Sequence, residues 1–255
     1  MRPPRSMVTQ AEVHWIELDT VDSTNTHLMN AYQCGQVHGV VAMLARAQTA
    51  GRGRAGRSWL AQPGASVCLT VGVPLKAAPP LPLPLHVGIA LATTLAAHGA
   101  PVRLKWPNDL LLQGGKLGGV LCESFHAGGQ PHVVIGVGLN LSPMEVVLAP
   151  GALPVAALHG HPGVASKTPR QWAELLVPAM LAQMEVCLLG SSPVLPSLFA
   201  PWDAWHGLPL QVQDGGRILM RGTGMGVNSN GAYLLNTAGG LSAVHAGDLS
   251  LRVQP

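Results

Sequence analysis

The sequence predicts an α+β domain over residues 1–205, with a mixed sheet and flanking helices, and a small β-barrel domain over residues 206–255. Two observations divide the chain this way. Up to about residue 205, apolar runs of strand character are interrupted by segments of helical period. Beyond it, only short alternating strands with glycine turns remain. A third observation sets the class. The 255 residues are 47% hydrophobic and only 11% charged, which suits a compact globular protein with room for one large and one small domain.

The elements follow in order. Residues 14–19, HWIELD, read as a short strand. Residues 22–32, DSTNTHLMNAY, read as a helix start that Asp22, Ser23 or Thr24 would cap, with Leu28, Ala31 and Tyr32 on one face. The run 40–48, VVAMLARAQ, is an apolar strand. In 66–73, Val67, Leu69, Val71 and Val73 alternate with Ser66, Cys68, Thr70 and Gly72, again a strand. A proline-rich connector at 78–84 leads to a helix near 85–98. Strand 101–106 stops at Pro107, and a hairpin joins 110–113 to 116–125 across Gly114-Gly115. Strand 132–141 and a loop-rich stretch over 142–167 come next. Thr168 caps a helix that has Pro169 at its first position and carries Leu175, Leu176, Ala179, Met180 and Met184 inward. Pro178 should kink or split that helix. The final strands are expected at 208–213, 217–226, 232–236 and 248–253.

Charge and cysteine usage narrow the function classes. Net charge is +3, a weak footprint for nucleic acid. Its distribution is uneven, because Arg46, Arg52, Arg54, Arg57, Lys76, Arg103 and Lys105 fall in 23–108 without one Asp or Glu. That segment is either chance in a low-charge chain or a site for a polyanion such as ATP. Cys34, Cys68, Cys122 and Cys187 are dispersed and form no C-x-x-C, which argues against zinc and a disulfide framework and fits reduced thiols in the cytoplasm. His159 and His161 read as loop histidines. No secretory signal is visible, and the apolar helix of 87–97 is too short to span a bilayer.

The stretch 51–59, GRGRAGRSW, fits both G-x-G-x-x-G and a P-loop with Arg57 in the lysine position. Both need a helix directly after the loop, to put a helix N-terminus on the phosphate. The sequence supplies a Pro63-Gly64 turn and a strand instead. The acid that a dinucleotide fold needs about 20 residues later is also missing. Both fingerprints are rejected, and an arginine-bearing anion loop between strands remains.

Four segments then line up in order: STN at 23–25, GRGRAGRSW at 51–59, KWPNDLLLQGGKLGGVLCE at 105–123, and GVGLN at 136–140. Together they resemble the biotin–protein ligases, also called biotin–acetyl-CoA-carboxylase ligases, over nearly the whole chain. The resemblance implies a catalytic domain like that of class II aminoacyl-tRNA synthetases and an SH3-like C-terminal barrel. It implies ATP and biotin as substrates with Mg²⁺, biotinyl-5′-AMP as intermediate, and a lysine of a biotin carboxyl carrier protein as acceptor.

Residue by residue, the resemblance puts Ser23, Thr24, Asn25 and Gln48 on biotin. It puts Arg52, Gly53 and Arg54 over biotin and the adenylate phosphate, and Arg57 on pyrophosphate. Lys116 is expected on the carboxylate and reacting phosphate, so Lys116 and Arg54 are the expected catalytic pair. Gly119, Leu121, Gly136 and Gly138 would wall the slot for the ring and valeryl chain. Asn108 and Asn140 would lie near adenine. Asp109 would hold Mg²⁺ through water or orient the lysine, with Lys105 as its ion-pair partner, and Trp59 is either part of the motif or packing. Taken alone, STN reads first as a helix cap, and a lysine after Gly-Gly as a solvated turn residue.

Two departures stand out. Ala55 replaces an arginine found in many relatives, and the lysine segment reads KLGGVL. The 22 residues before Ser23 are too few for the winged helix-turn-helix of dual-function relatives, so no DNA partner is expected, and no membrane partner either. A monomer and a homodimer both fit. A lipoate or octanoate ligase or transferase of the same fold, or a biotin-binding sensor or adaptor with weak catalysis, remain as alternatives.

Overall fold

The computed structural model describes residues 11–79, 82–144, 152–189, 194–214, 217–247 and 250–254. Among these residues, twelve strands make two sheets. The larger contains β1 (Val13–Val21), β2 (Val40–Gln48), β3 (Ser66–Pro74), β4 (Arg103–Lys105), β5 (Asp109–Leu112), β6 (Gly115–Ala127) and β7 (Gln130–Asn140). Their spatial order is β1-β2-β3-β7-β6-β5-β4. β1 and β2 are parallel, joined by helix α1 (Thr24–Gln33), and the other neighbours are antiparallel. A crossover helix is what a parallel pair requires.

Both faces of this sheet are covered. On one, α1 packs Leu28 and Tyr32 against Val41, Met43 and Val134. On the other, α2 (Leu83–Ala97) and α3 (Pro169–Leu188) bury Leu91, Leu95, Trp172, Leu176 and Met180 against Val67, Leu69, Val71 and Val73 of β3. The alternation read in β3 therefore separates two interiors, the core and the α1 side, rather than core and solvent. Thr70 is fully buried there, and Gly72 is needed because a Cβ would meet the Tyr32 ring.

The second sheet holds β8 (Pro209–Asp214), β9 (Arg217–Val227), β10 (Tyr233–Thr237), β11 (Gly240–Val244) and β12 (Ser250–Val253), all antiparallel, in the order β11-β10-β9-β8-β12. Short helix α4 (Leu195–Phe199) precedes it. The two sheets are stitched together where Trp106 Nε1 donates to Gly231 O at 2.9 Å and Ala204 N donates to Leu104 O at 2.9 Å.

Four expectations are corrected. α3 is continuous through Pro178: that residue is exposed, as is Glu174, whose carbonyl loses its partner to the missing N–H, so the helix bears the proline on its solvent side. The hairpin turn is Gln113-Gly114, both at positive φ, and Gly115 already belongs to β6. No side chain caps α1; Asp22 instead accepts from Ser23 N at 2.7 Å. Strand β11 was not expected, being an exposed run of small residues with Leu241 facing outward. Thr168 and Gln171 do form the capping box of α3.

Candidate active site

A cleft of about 130 Å³ opens at the ends of β1 and β2, beside the first turn of α1, with β6 and β7 as its far wall. The register explains its shape. Gly119 faces Gly138 across β6 and β7, and Leu121 faces Gly136, so three missing side chains clear a groove in the sheet. The space is already contested. A Cβ at Gly136 would overlap Asn25 Oδ1, and one at Gly138 would overlap the Trp59 indole.

One end of the cleft is lined by neutral hydrogen-bonding groups. Ser23, Thr24 and Asn25 are buried. Thr24 N and Oγ1 both donate to Gln48 Oε1, at 2.8 and 3.1 Å. The buried Thr70 hydroxyl lies 2.7 Å from Asn25 Oδ1 and 2.8 Å from Thr24 Oγ1. Asn25 Nδ2 donates to Leu121 O at 3.2 Å and to Glu123 Oε2 at 2.9 Å. With no side-chain cap on α1, the Ser-Thr-Asn group serves the cleft instead.

The other end is charged. Asp109 receives two ammonium groups, Lys116 Nζ on Oδ1 at 2.8 Å and Lys105 Nζ on Oδ2 at 2.9 Å. Burial pushes the Asp109 carboxyl up, but the two lysines together outweigh it and hold the carboxyl below its ordinary range. The Lys116 backbone is fixed on both sides, its N–H donating to Pro154 O at 2.7 Å and its carbonyl accepting from Ala156 N at 2.9 Å. Its ammonium also lies 5.9 Å from the centre of the Trp59 ring.

The glycine loop closes over this end as a small folded arch. Gly53 N donates to Arg57 O and Trp59 N to Gly51 O, while Ala55 and Gly56 turn the tip at positive φ. The Gly53 and Trp59 amides are thus engaged within the loop. Arg54 reaches Asn108 Oδ1 at 3.2 Å and Gly247 O at 2.9 Å, tying the loop to the second sheet. Arg52 pairs with Glu123 at 2.8 Å. Arg57 is exposed and its Nε donates to Arg54 O at 3.3 Å.

The cleft thus brings together every expected site residue except Asn140 and Lys105, the latter reaching it only through Asp109. Asn140 sits behind Lys116, donating to Ala156 O at 3.2 Å and Lys116 O at 3.4 Å. Sequence reasoning missed Thr70 and Glu123, which join through strand register alone, and left Trp59 undecided although its ring forms part of the wall. Asp109 does not fit a protein-held Mg²⁺: both its oxygens carry ammonium partners, and no cluster of three metal-binding side chains occurs among the described residues.

Residues 17–140 match the model of the biotin/lipoate A/B protein ligase family. A biotin–[acetyl-CoA-carboxylase] ligase of Mycobacterium tuberculosis is 33% identical over 98% of this chain and 96% of its own length. One of Paracoccus denitrificans is 33% identical over 91% and 98%. Among solved structures, the Aquifex aeolicus biotin protein ligase in complex with biotin and ATP superposes with a TM-score of 0.77 at 25% identity, covering 94% of this chain and 99% of that one. No helix among the described residues is long and apolar enough to cross a membrane.

Proposed function

Because the chain belongs to the biotin–protein ligase family, we propose that its cleft activates biotin with ATP and passes it to a lysine of a biotin carboxyl carrier protein domain. The ligase activity itself, ATP-dependent and acting on biotin, follows from that membership. In the first step a biotin carboxylate oxygen attacks the α-phosphorus of ATP. The α–β anhydride bond breaks, and pyrophosphate leaves. In the second, the carrier amine attacks the acyl carbon of biotinyl-5′-AMP, an amide forms, and AMP departs.

The observation that carries this reading is the division of one cleft into a neutral hydrogen-bonding end and a cationic end. A ureido ring presents two N–H donors and one carbonyl, and Asn25 Oδ1 and the neighbouring amide and hydroxyl groups offer matching partners. A lipoyl ring offers neither and would make no use of these groups. Lys116 stands where a carboxylate and a phosphate would meet, and it offsets the repulsion between two anions. Arg54 and Asn108 form the next grip, for the phosphate and nucleotide side, with Arg52 and Arg57 at the rim. Asn140 acts by holding the Lys116 backbone. Asp109 orients both lysines.

In the same reading the chain divides near residue 205 into a synthetase-like catalytic domain and an SH3-like barrel built on the five-stranded sheet. Transfer of radiolabelled biotin to a carrier domain tests the proposal. Label on the carrier lysine only when ATP is present supports it. Transfer without ATP, or none with it, refutes it.

A further inference from the structure

Glu123 lies on β6, just beyond the inner lining of the cleft, yet it touches both the neutral end and the glycine loop. Its Oε2 accepts from Asn25 Nδ2 at 2.9 Å, and its Oε1 from Arg52 Nη2 at 2.8 Å. Arg52 Nη1 reaches Thr26 Oγ1 at 3.2 Å, so the guanidinium is anchored in turn. The carboxylate is held at both oxygens.

That matters because an amide has two chemically opposite ends. An ionised carboxylate only accepts. With Glu123 Oε2 and Leu121 O both beside it, the near end of the Asn25 amide must be NH₂. A reversed amide would set an oxygen against two acceptors and lose two hydrogen bonds. Oδ1 is therefore turned toward Thr70 and the groove above Gly136. The order then runs on. The Thr70 hydroxyl proton is shared between Asn25 Oδ1 and Thr24 Oγ1, and Thr24 donates to Gln48 Oε1. Glu123 and Leu121 O fix the Asn25 end of this chain of bonds, and Thr24 N, which can only donate, fixes the Gln48 end.

We propose that Glu123 is a positioning residue for biotin: it fixes Asn25 as the acceptor for a ureido N–H. This rests on the reading that Asn25 faces the ureido ring. The test is calorimetric titration of biotin alone into the wild-type protein, Glu123→Leu, Glu123→Gln, Asn25→Ala and the Glu123→Leu/Asn25→Ala double variant, with the KM for ATP measured beside it. Glu123→Leu should weaken biotin by roughly 10- to 100-fold, the scale of one charge-assisted hydrogen bond and the orientation it controls. Glu123→Gln should be rescued in part, to about 3- to 10-fold, because its oxygen can still accept but its amide is free to turn. The KM for ATP should change less than the biotin Kd, since Glu123 meets the ring end directly through Asn25 and the phosphate side only through Arg52 at the rim. The double variant should bind no more weakly than Asn25→Ala, because the two losses are one loss.

The inference is overturned if Glu123→Leu binds biotin like the wild type, if biotin and ATP weaken together, or if the double variant loses the sum of both effects. Should Glu123→Leu fail to fold, Glu123→Gln decides, and an unchanged biotin Kd rejects the inference. Asn25→Ala separates the two levels. If it loses biotin while the Glu123 variants do not, only this inference fails. If it binds biotin normally, the ring-pocket reading fails and this inference falls with it.

Discussion

The two ends of the cleft are built on opposite plans. At the ring end, buried neutral groups satisfy one another through Asn25, Thr70, Thr24 and Gln48. At the other end, cations are held by carboxylates and loop carbonyls: Lys105 and Lys116 by Asp109, Arg52 by Glu123, Arg54 by Asn108 and Gly247. A neutral buried network is costly to leave incomplete, so it favours one geometry and one ligand pattern. The half-exposed Arg52–Glu123 pair contributes little by itself, whereas Asp109 is largely buried between its two lysines and orients them. In the proposed function, specificity resides at the ring end and chemistry at the cationic end.

Substitutions that strike one end only should sharpen this contrast. The largest effect is expected for Lys116→Gln, which keeps length but removes charge. Single-turnover formation of biotinyl-AMP should fall on the order of 10²–10³-fold, the scale of losing one electrostatic stabiliser of the transition state. A folded variant within about threefold of wild type, far inside that range, would return Lys116 to a surface role. Next is Gly136→Ala, whose Cβ would overlap Asn25 Oδ1. It should weaken biotin about 5- to 100-fold through a strain of roughly 1–3 kcal/mol, with the KM for ATP little changed. Equal losses for both substrates would erase the proposed boundary between the ends.

Asp109→Asn tests the cationic end by pH. The folded-state pKa of Asp109 is depressed, so its contribution to stability is fully present above the ordinary value of 3.8 and is lost as pH falls through the folded pKa. The melting-temperature gap between wild type and Asp109→Asn should hold steady at neutral pH and close only under acid, below that ordinary value. A gap that closes between pH about 6 and 8, where histidines rather than carboxylates titrate, would point to another group. The smallest effect is expected for Arg57→Ala. Arg57 is exposed and bonds only the Arg54 carbonyl, so adenylate formation should change by no more than about threefold. A loss as large as that of Lys116→Gln would move the phosphate grip to the tip of the loop.

How much of this was legible in the sequence follows the same division. Motif residues such as Arg54 and Lys116, whose types and order carry the signal, do line the cleft. The strands were legible from period and composition, and the α1 face from Leu28, Ala31 and Tyr32, all buried as expected. Thr70 and Glu123 were not, because nothing local marks a threonine in an alternating strand or a glutamate near a strand's middle. Their roles arise when register sets Thr70 opposite Gly136 and β6 beside α1, contacts that span 45 and 98 residues. Pro178 misled for the converse reason: a local rule predicted a break, but the proline sits on the exposed side of a helix whose other face is held by Trp172, Leu176 and Met180. Asn140 was grouped with the nucleotide by motif, whereas its amide faces the Lys116 and Ala156 carbonyls.

The most direct test of the division is a crossed measurement on two variants. Biotin affinity without ATP and single-turnover adenylation at saturating substrates are taken on the same preparations of Lys116→Gln and Gly136→Ala. The account predicts opposite patterns. Lys116→Gln should keep its biotin Kd within about threefold while its rate falls at least about 100-fold. Gly136→Ala should lose biotin affinity yet recover a rate within about tenfold of wild type once saturated. Parallel losses in both quantities for both variants would contradict it, and would mean that the cleft binds and reacts as one undivided site.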